Sequence, residues 1–216
     1  MPRRRLARLL RVRSPALPGA RIVVGLGNPG APYARHRHNV GARVVERLAE
    51  RLRLPLEDKA KLAWSGQGQT PYGPVVLAKP RTYMNESGRA VQALLTRHRA
   101  DPSALILVYD EVDLPNGRVR IRPGGGDGGQ KGMRSIAQAV GSLDFPRVRI
   151  GIGRPLVHGQ PSWDPGAVSD YVLADPGPDQ AAALAQAEAK AAEAIIAILR
   201  DGVETAMNRF NAAVDG

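Results

Sequence analysis

Four polar side chains stand where short apolar runs of this sequence end, and together their types suit hydrolysis. His38, in Arg35-His36-Arg37-His38-Asn39, carries an imidazole able to take a proton from water near neutral pH. Asp110 follows the most apolar run of the chain, Ala104 to Tyr109. A carboxylate so placed can fix the imidazole tautomer and stabilise the imidazolium that forms. Asn28, after Val23-Val24-Gly25-Leu26-Gly27, and Asn85, after Met84, bring amides that can donate hydrogen bonds to a developing oxyanion. A loop His alone is most often a solvated group, and an Asp after a strand is often a turn or capping residue. The chemistry therefore rests on the set, whose members fall at strand ends, where open α/β sheets bind ligands.

Other chemistries fit less well. The sequence holds no Gly-x-Ser-x-Gly elbow and no Cys, so the attacking group is expected to be water. His36-x-His38 resembles no recognised metal spacing, and with four His and no Cys the further ligands would have to be carboxylates. A metal site is not expected. The main rival is nucleotide binding, because Gly25-Leu26-Gly27-Asn28-Pro29-Gly30 spells the Gly-x-Gly-x-x-Gly fingerprint. That reading requires a helix beginning near Gly27, which Pro29 and Pro32 resist, and an acidic residue ending a second strand about 20 residues on, which is missing.

The net charge of +11 points to a polyanionic partner. Its distribution is uneven: seven arginines (3, 4, 5, 8, 11, 13 and 21) fall in a stretch without Asp or Glu. Residues 1–20, punctuated by Pro15 and Pro18, are read as a basic N-terminal extension without fixed structure. Their composition suits an organelle transit peptide, a nucleic-acid-binding arm or a plain disordered extension alike. Residues 21–216 are read as one domain. Two Phe, two Trp and five Tyr leave little for base stacking, so contacts to phosphate are better supported. Absence of Cys fits a reducing compartment, and no run of about 18 apolar residues exists to span a bilayer. A soluble, cytoplasmic protein is expected.

The elements that must position these residues follow from hydrophobic periodicity. Arg21 to Gly27, Pro74 to Pro80, Ala104 to Tyr109, Arg118 to Arg122 and Arg147 to Gly153 read as strands. Val40, Val44, Val45, Leu48 and Leu52 recur at helical spacing, Ala90 to His98 reads as a helix capped by preceding polar residues, and Ala181 to Arg200 is a long helix closed by Gly202. Val203 to Phe210 makes one more. Strands alternating with helices predict an α/β sheet covered on both faces. The loop Gly124 to Gly129 can either expose backbone N–H groups to phosphate or simply connect. Arg120 with Arg122, and Arg147 with Arg149, each share a strand face and can form basic pairs.

Taken together, several ordered segments resemble the bacterial-type peptidyl-tRNA hydrolase family. They are Val24 to Gly30, then Tyr33, then Arg37-His38-Asn39-Val40-Gly41; Lys79 to Gly88 with its Met84-Asn85; Tyr109 to Pro115; Arg147 to Pro155; and Val168 to Leu173, similar to the family's lid. The resemblance runs from about residue 21 to the C-terminus. It implies hydrolysis of the ester joining a peptide to the ribose at the tRNA 3′ end. It further implies His38 as proton acceptor, Asp110 as its supporting carboxylate, and Asn28 as the residue that separates peptidyl-tRNA from aminoacyl-tRNA. Tyr33, Tyr83, Met84 and Asn85 would contact the tRNA 3′ end or peptide, and Arg122 and Arg149 the 5′ phosphate. It implies a single-domain three-layer α/β sandwich with a twisted mixed β-sheet flanked by helices, monomeric, needing no cofactor. One departure stands out: the family usually has His-Asn where this chain has Gln130-Lys131. Lys131 still donates hydrogen bonds and adds charge, suited to phosphate or a carbonyl oxygen. Plant organelles hold relatives of this fold that assist intron splicing, so a catalytically weak RNA-binding protein is the alternative function.

Overall fold

The structure, a computed structural model, describes residues 15–59 and 61–212, so most of the basic extension lies outside the described residues. In chain order the elements are β1 (Arg21–Gly25), α1 (Val40–Leu52), β2 (Asp58–Lys59), β3 (Ala63–Thr70), β4 (Gly73–Pro80), α2 (Ser87–His98), β5 (Leu105–Glu111), β6 (Val119–Arg122), α3 (Lys131–Val140), β7 (Arg147–Gly151), β8 (Leu156–Val157), β9 (Gln160–Pro161), α4 (Pro165–Val172), α5 (Pro178–Asp201) and α6 (Val203–Phe210).

Seven strands form one sheet in the order β2-β3-β4-β1-β5-β7-β6. Its centre, β4-β1-β5-β7, is parallel, whereas β2, β3 and β6 join antiparallel. The central strands are buried on both faces, as continuous Val, Ile and Leu runs require. On one face Val23, Ile106, Val108 and Val148 pack with α1, α5 and α6; on the other, Ile22, Val24, Leu105 and Leu107 pack with α2 and α3. The expected three-layer α/β sandwich with a mixed sheet is the architecture found.

Close approach of α1 to the sheet brings the residues ahead of it to the strand ends. A Cβ on Gly25 would lie 2.1 Å from the Gly41 carbonyl oxygen, and one on Gly41 would lie 2.2 Å from that of Val108. Only glycines permit this contact. Before α1 the chain makes two 3-10 turns, Ala31–Tyr33 and Arg37–Asn39, and the helix starts at Val40. The helix at Gly27 that a dinucleotide fingerprint demands is therefore not there.

Among the elements that went unread in the sequence are β3 and α3. Ala63–Thr70 is mostly small and polar, and pairs along its whole length with β4. Gly66 lies under residue 54, where a Cβ would meet the Leu54 carbonyl oxygen at 2.4 Å. The strand thus buries glycine backbone instead of apolar side chains. Helix α3 does carry helical spacing in Met133, Ile136 and Val140, directly after the glycine loop. The helix expected from Ala90 begins at Ser87 and has no side-chain cap; the Gly88 N–H instead donates to Ser135 Oγ on α3 at 3.0 Å. The packed region also reaches ahead of residue 21, since Leu17 donates its N–H to His98 Nδ1 at 3.1 Å.

Candidate active site

His38 lies in the 3-10 turn just before α1, and Asp110 near the end of β5. Alternation along β5 turns Asp110 to the same face as Ile106 and Val108, the face that α1 covers. His38 Nδ1 and Asp110 Oδ2 are 2.8 Å apart, with side-chain exposures of 12% and 2%. With a carboxylate as acceptor, Nδ1 is the protonated nitrogen, and neutral His38 keeps a lone pair on Nε2. Burial pulls the imidazole pKa down, but the charge of Asp110 and its hydrogen bond outweigh that and raise it, while the Lys131 ammonium opposes them. The net effect is a pKa above the ordinary histidine value.

Asn28 is fixed by its neighbours on both sides. Its backbone N–H donates to Asn39 Oδ1 at 2.9 Å, and its carbonyl accepts from Asn39 Nδ2 at 2.8 Å. Its own Oδ1 accepts the Met84 N–H at 2.8 Å. That last bond decides which way the amide faces: the oxygen is engaged, so Nδ2 is the end available to a substrate. Met84 is buried, whereas Asn85 and Tyr83 are exposed, Tyr83 by 55%. Tyr33 meets Tyr83 edge to face at 6.2 Å and His36 at 5.3 Å. His36 and His38 thus take different partners instead of converging on one point. Lys131 is exposed at the first position of α3, where a cation opposes the helix dipole.

The loop bearing His38 is strapped to the C-terminal helices. Buried Arg37 donates to Gln180 Oε1 at 2.7 Å and to the carbonyls of Tyr171 and Ala174 at 3.1 and 2.9 Å, with its guanidinium 4.1 Å from the Tyr171 ring centre. Arg43 holds the carbonyls of Ala34 and His36, each at 2.9 Å, while pairing with Glu188 at 2.7 Å. Arg35 pairs with Asp175 at 2.5 Å.

The four arginines of β6 and β7 do share one face, with Arg120 opposite Arg149 and Arg122 opposite Arg147. Their environments differ. Arg147 is buried and bonded to the carbonyls of Gly125, Gly126 and Leu143, so it holds the glycine loop and is not a free phosphate ligand. Arg149 donates to Glu111 Oε2 from Nε at 2.9 Å and from Nη2 at 2.5 Å. Arg120 and Arg122 are exposed. In the glycine loop, the Gly129 N–H donates to Asp127 Oδ1 at 2.8 Å. That hydrogen bond, with one from Arg134, holds the Asp127 pKa below the usual carboxylate range.

Structure adds residues to which sequence reasoning gave no role. Asn39 clamps Asn28, Arg37 anchors the loop, Glu111 neutralises Arg149, and Gln130 contacts Asp110. Asn39 and Arg37 flank His38 in the motif, and Gln130 precedes Met133 by three residues, the spacing of a capping side chain.

The arrangement is a histidine whose tautomer is set by the carboxylate behind it, together with an asparagine amide whose Nδ2 is left free to donate. Comparison with known proteins places it. The family model described as peptidyl-tRNA hydrolase matches residues 22–215. A peptidyl-tRNA hydrolase of Roseiflexus castenholzii is 47% identical over 192 residues, 88% of this chain and 86% of that protein. One from Chloroflexus aurantiacus is 46% identical over 193 residues, 88% of this chain and 98% of that protein. The crystal structure of peptidyl-tRNA hydrolase from Acinetobacter baumannii superposes with a TM-score of 0.81 at 35% identity, covering 89% of this chain and 95% of that one. With its sheet, its strand-end loops and nearly its whole described length matched, the chain belongs to the peptidyl-tRNA hydrolase family.

Proposed function

We propose that this chain hydrolyses the ester bond of peptidyl-tRNA, releasing free tRNA and peptide, with His38 as the general base. The observation that carries this is the 2.8 Å pair of His38 Nδ1 and Asp110 Oδ2 beside the oriented amide of Asn28. His38 Nε2 takes a proton from water as the oxygen attacks the ester carbonyl. The tetrahedral oxyanion accepts a hydrogen bond from Asn28 Nδ2. Collapse expels the ribose oxygen, which takes from the imidazolium the proton that came from water, so His38 ends neutral. Asp110 remains ionised throughout and steadies the imidazolium.

Tyr33, Tyr83, Met84 and Asn85 line the approach for the tRNA 3′ end and peptide, while Lys131, Arg122 and Arg149 supply positive charge for phosphate. Exposure of Tyr83, Asn85, Lys131 and Arg122 supports this assignment. The Glu111 partner of Arg149 means that an incoming phosphate there competes with a carboxylate. The chain acts as a monomeric single domain spanning residues 21–216, with the basic stretch 1–20 as an extension, and works in the cytoplasm. No helix among the described residues is long and apolar enough to cross a membrane. The RNA-binding alternative is not favoured: the matching relatives carry the hydrolase name, and His38, Asp110, Asn28 and Asn85 are all present.

The test incubates purified protein with peptidyl-tRNA and, separately, with unblocked aminoacyl-tRNA. Wild type releases tRNA from the first substrate, and His38→Ala does not. Tight tRNA binding without release by wild type would overturn the hydrolase reading in favour of the binder.

A further inference from the structure

Gln130 stands at the entrance to α3 with the two ends of its amide engaged on different parts of the molecule. Its Oε1 accepts the Met133 N–H at 2.8 Å and caps the helix. An oxygen held in this way fixes which end of the amide is the amine. Nε2 is therefore turned toward the site, where it lies 3.4 Å from Asp110 Oδ1 and 3.4 Å from Met84 Sδ. Each oxygen of Asp110 then has its own partner, Oδ2 with His38 and Oδ1 with Gln130. A carboxylate held through one oxygen can turn about its Cβ–Cγ bond; one held through both must break a hydrogen bond to do so.

We propose that Gln130 is a positioning residue for the hydrolysis, holding the Asp110 carboxylate in the plane that His38 Nδ1 requires, with its amide polarity set by the N-terminus of α3. Two unrelated demands meet in one side chain. The helix needs an acceptor, and Asp110 needs a donor. Glutamine supplies both, and is long enough to cap α3 while reaching the end of β5. The ammonium of Lys131, next in sequence, acts on the same imidazole with the opposite sign, so Asp110 and Lys131 are the charged groups that set the titration of His38.

This inference rests on the ester-hydrolysis reading, and the experiment separates the two. Gln130→Ser keeps a strong helix cap but is too short to reach Asp110. Expected are a thermal unfolding midpoint near that of wild type, a kcat lower by about 10- to 100-fold with KM unchanged, and a downward shift of the His38 ring titration, read by NMR without substrate. The shift is downward because burial still acts on the imidazole while the carboxylate contact loosens. Gln130→Glu keeps an acceptor for the Met133 N–H but replaces the donor to Asp110 with a second carboxylate, and is expected to lower kcat at least as far as Gln130→Ser does. Unchanged kcat and titration in Gln130→Ser, or wild-type kcat in Gln130→Glu, overturns the proposal. Wild-type protein that fails to release tRNA refutes the hydrolase reading instead, and the substrate-free titrations still decide whether Gln130 holds Asp110.

Discussion

His38 and Asp110 are 72 positions apart in sequence, yet Nδ1 of one lies 2.8 Å from Oδ2 of the other, at the point where the turn ahead of α1 crosses the end of β5. Activity and stability pull in opposite directions through this pair. The base works only as neutral imidazole, so kcat/KM climbs as pH rises through the raised pKa of His38, at a midpoint above the ordinary value of about 6.5. The stabilisation from protonated His38 is complete below its unfolded value and is lost as pH rises through the raised folded value. A pH profile of hydrolysis beside one of thermal unfolding checks both. Asp110→Asn removes the raising partner and leaves burial in control, so its acid limb falls below that of wild type; an unmoved limb would show that the titration belongs to another group.

Replacing Lys131 by Met deletes the cation that holds the His38 pKa down. The acid limb of kcat/KM then moves further upward. Because Lys131 is exposed, the difference from wild type shrinks with added salt, where the screening length is about 10 Å at 0.1 M. A limb that stays in place at low salt would mean that this ammonium does not face the imidazole.

Asn39→Ala withdraws both partners of the Asn28 backbone in one step. Leaving a part-buried N–H and carbonyl unmet costs about 1–3 kcal/mol, which lowers the unfolding midpoint. Turnover falls as well, because the Asn28 amide loses its fixed direction. Thermal unfolding and single-turnover rates report the two effects, and wild-type turnover in this variant would dissociate Asn28 from the reaction.

Arg122 and Arg149 are expected to part company on mutation. Arg122→Ala, removing an exposed guanidinium, leaves stability unchanged and reduces the salt slope of tRNA binding by about 1. Arg149→Ala strands the Glu111 carboxylate, 6% exposed, and destabilises the fold by about 3 kcal/mol. Adding Glu111→Gln restores much of that stability. Binding titrations across salt, with urea unfolding of the three proteins, test this; equal stability of Arg149→Ala and wild type would remove the pair from the fold's support.

What the sequence disclosed, it disclosed through pattern. The continuous apolar run of β5 placed Asp110 at a strand end, and the polar motif around His38 stood where a loop had to be. Periodicity could not show that Ala63–Thr70 is a strand, because its burial is of glycine backbone against residue 54. Residue type also could not divide the arginines. Arg147 and Arg149 are alike in sequence, but one holds loop carbonyls and the other a carboxylate, and only the fold distinguishes these. Gln130 stood out as a departure from the family pattern, whereas its link to Asp110 needed the geometry of α3.

The straps from Arg35, Arg37 and Arg43 to residues 171–188 also fix an order of events in the life of each molecule. A ribosome makes His38 early and the helices that restrain its loop late. An emerging chain that already holds Asn28, His38, Asn85 and Asp110 lacks the partners of Arg35, Arg37 and Arg43 until α4 and the first turns of α5 have left the exit tunnel. A product cut short before residue 171 would carry those side chains without the groups on α4 and α5 that hold the turn.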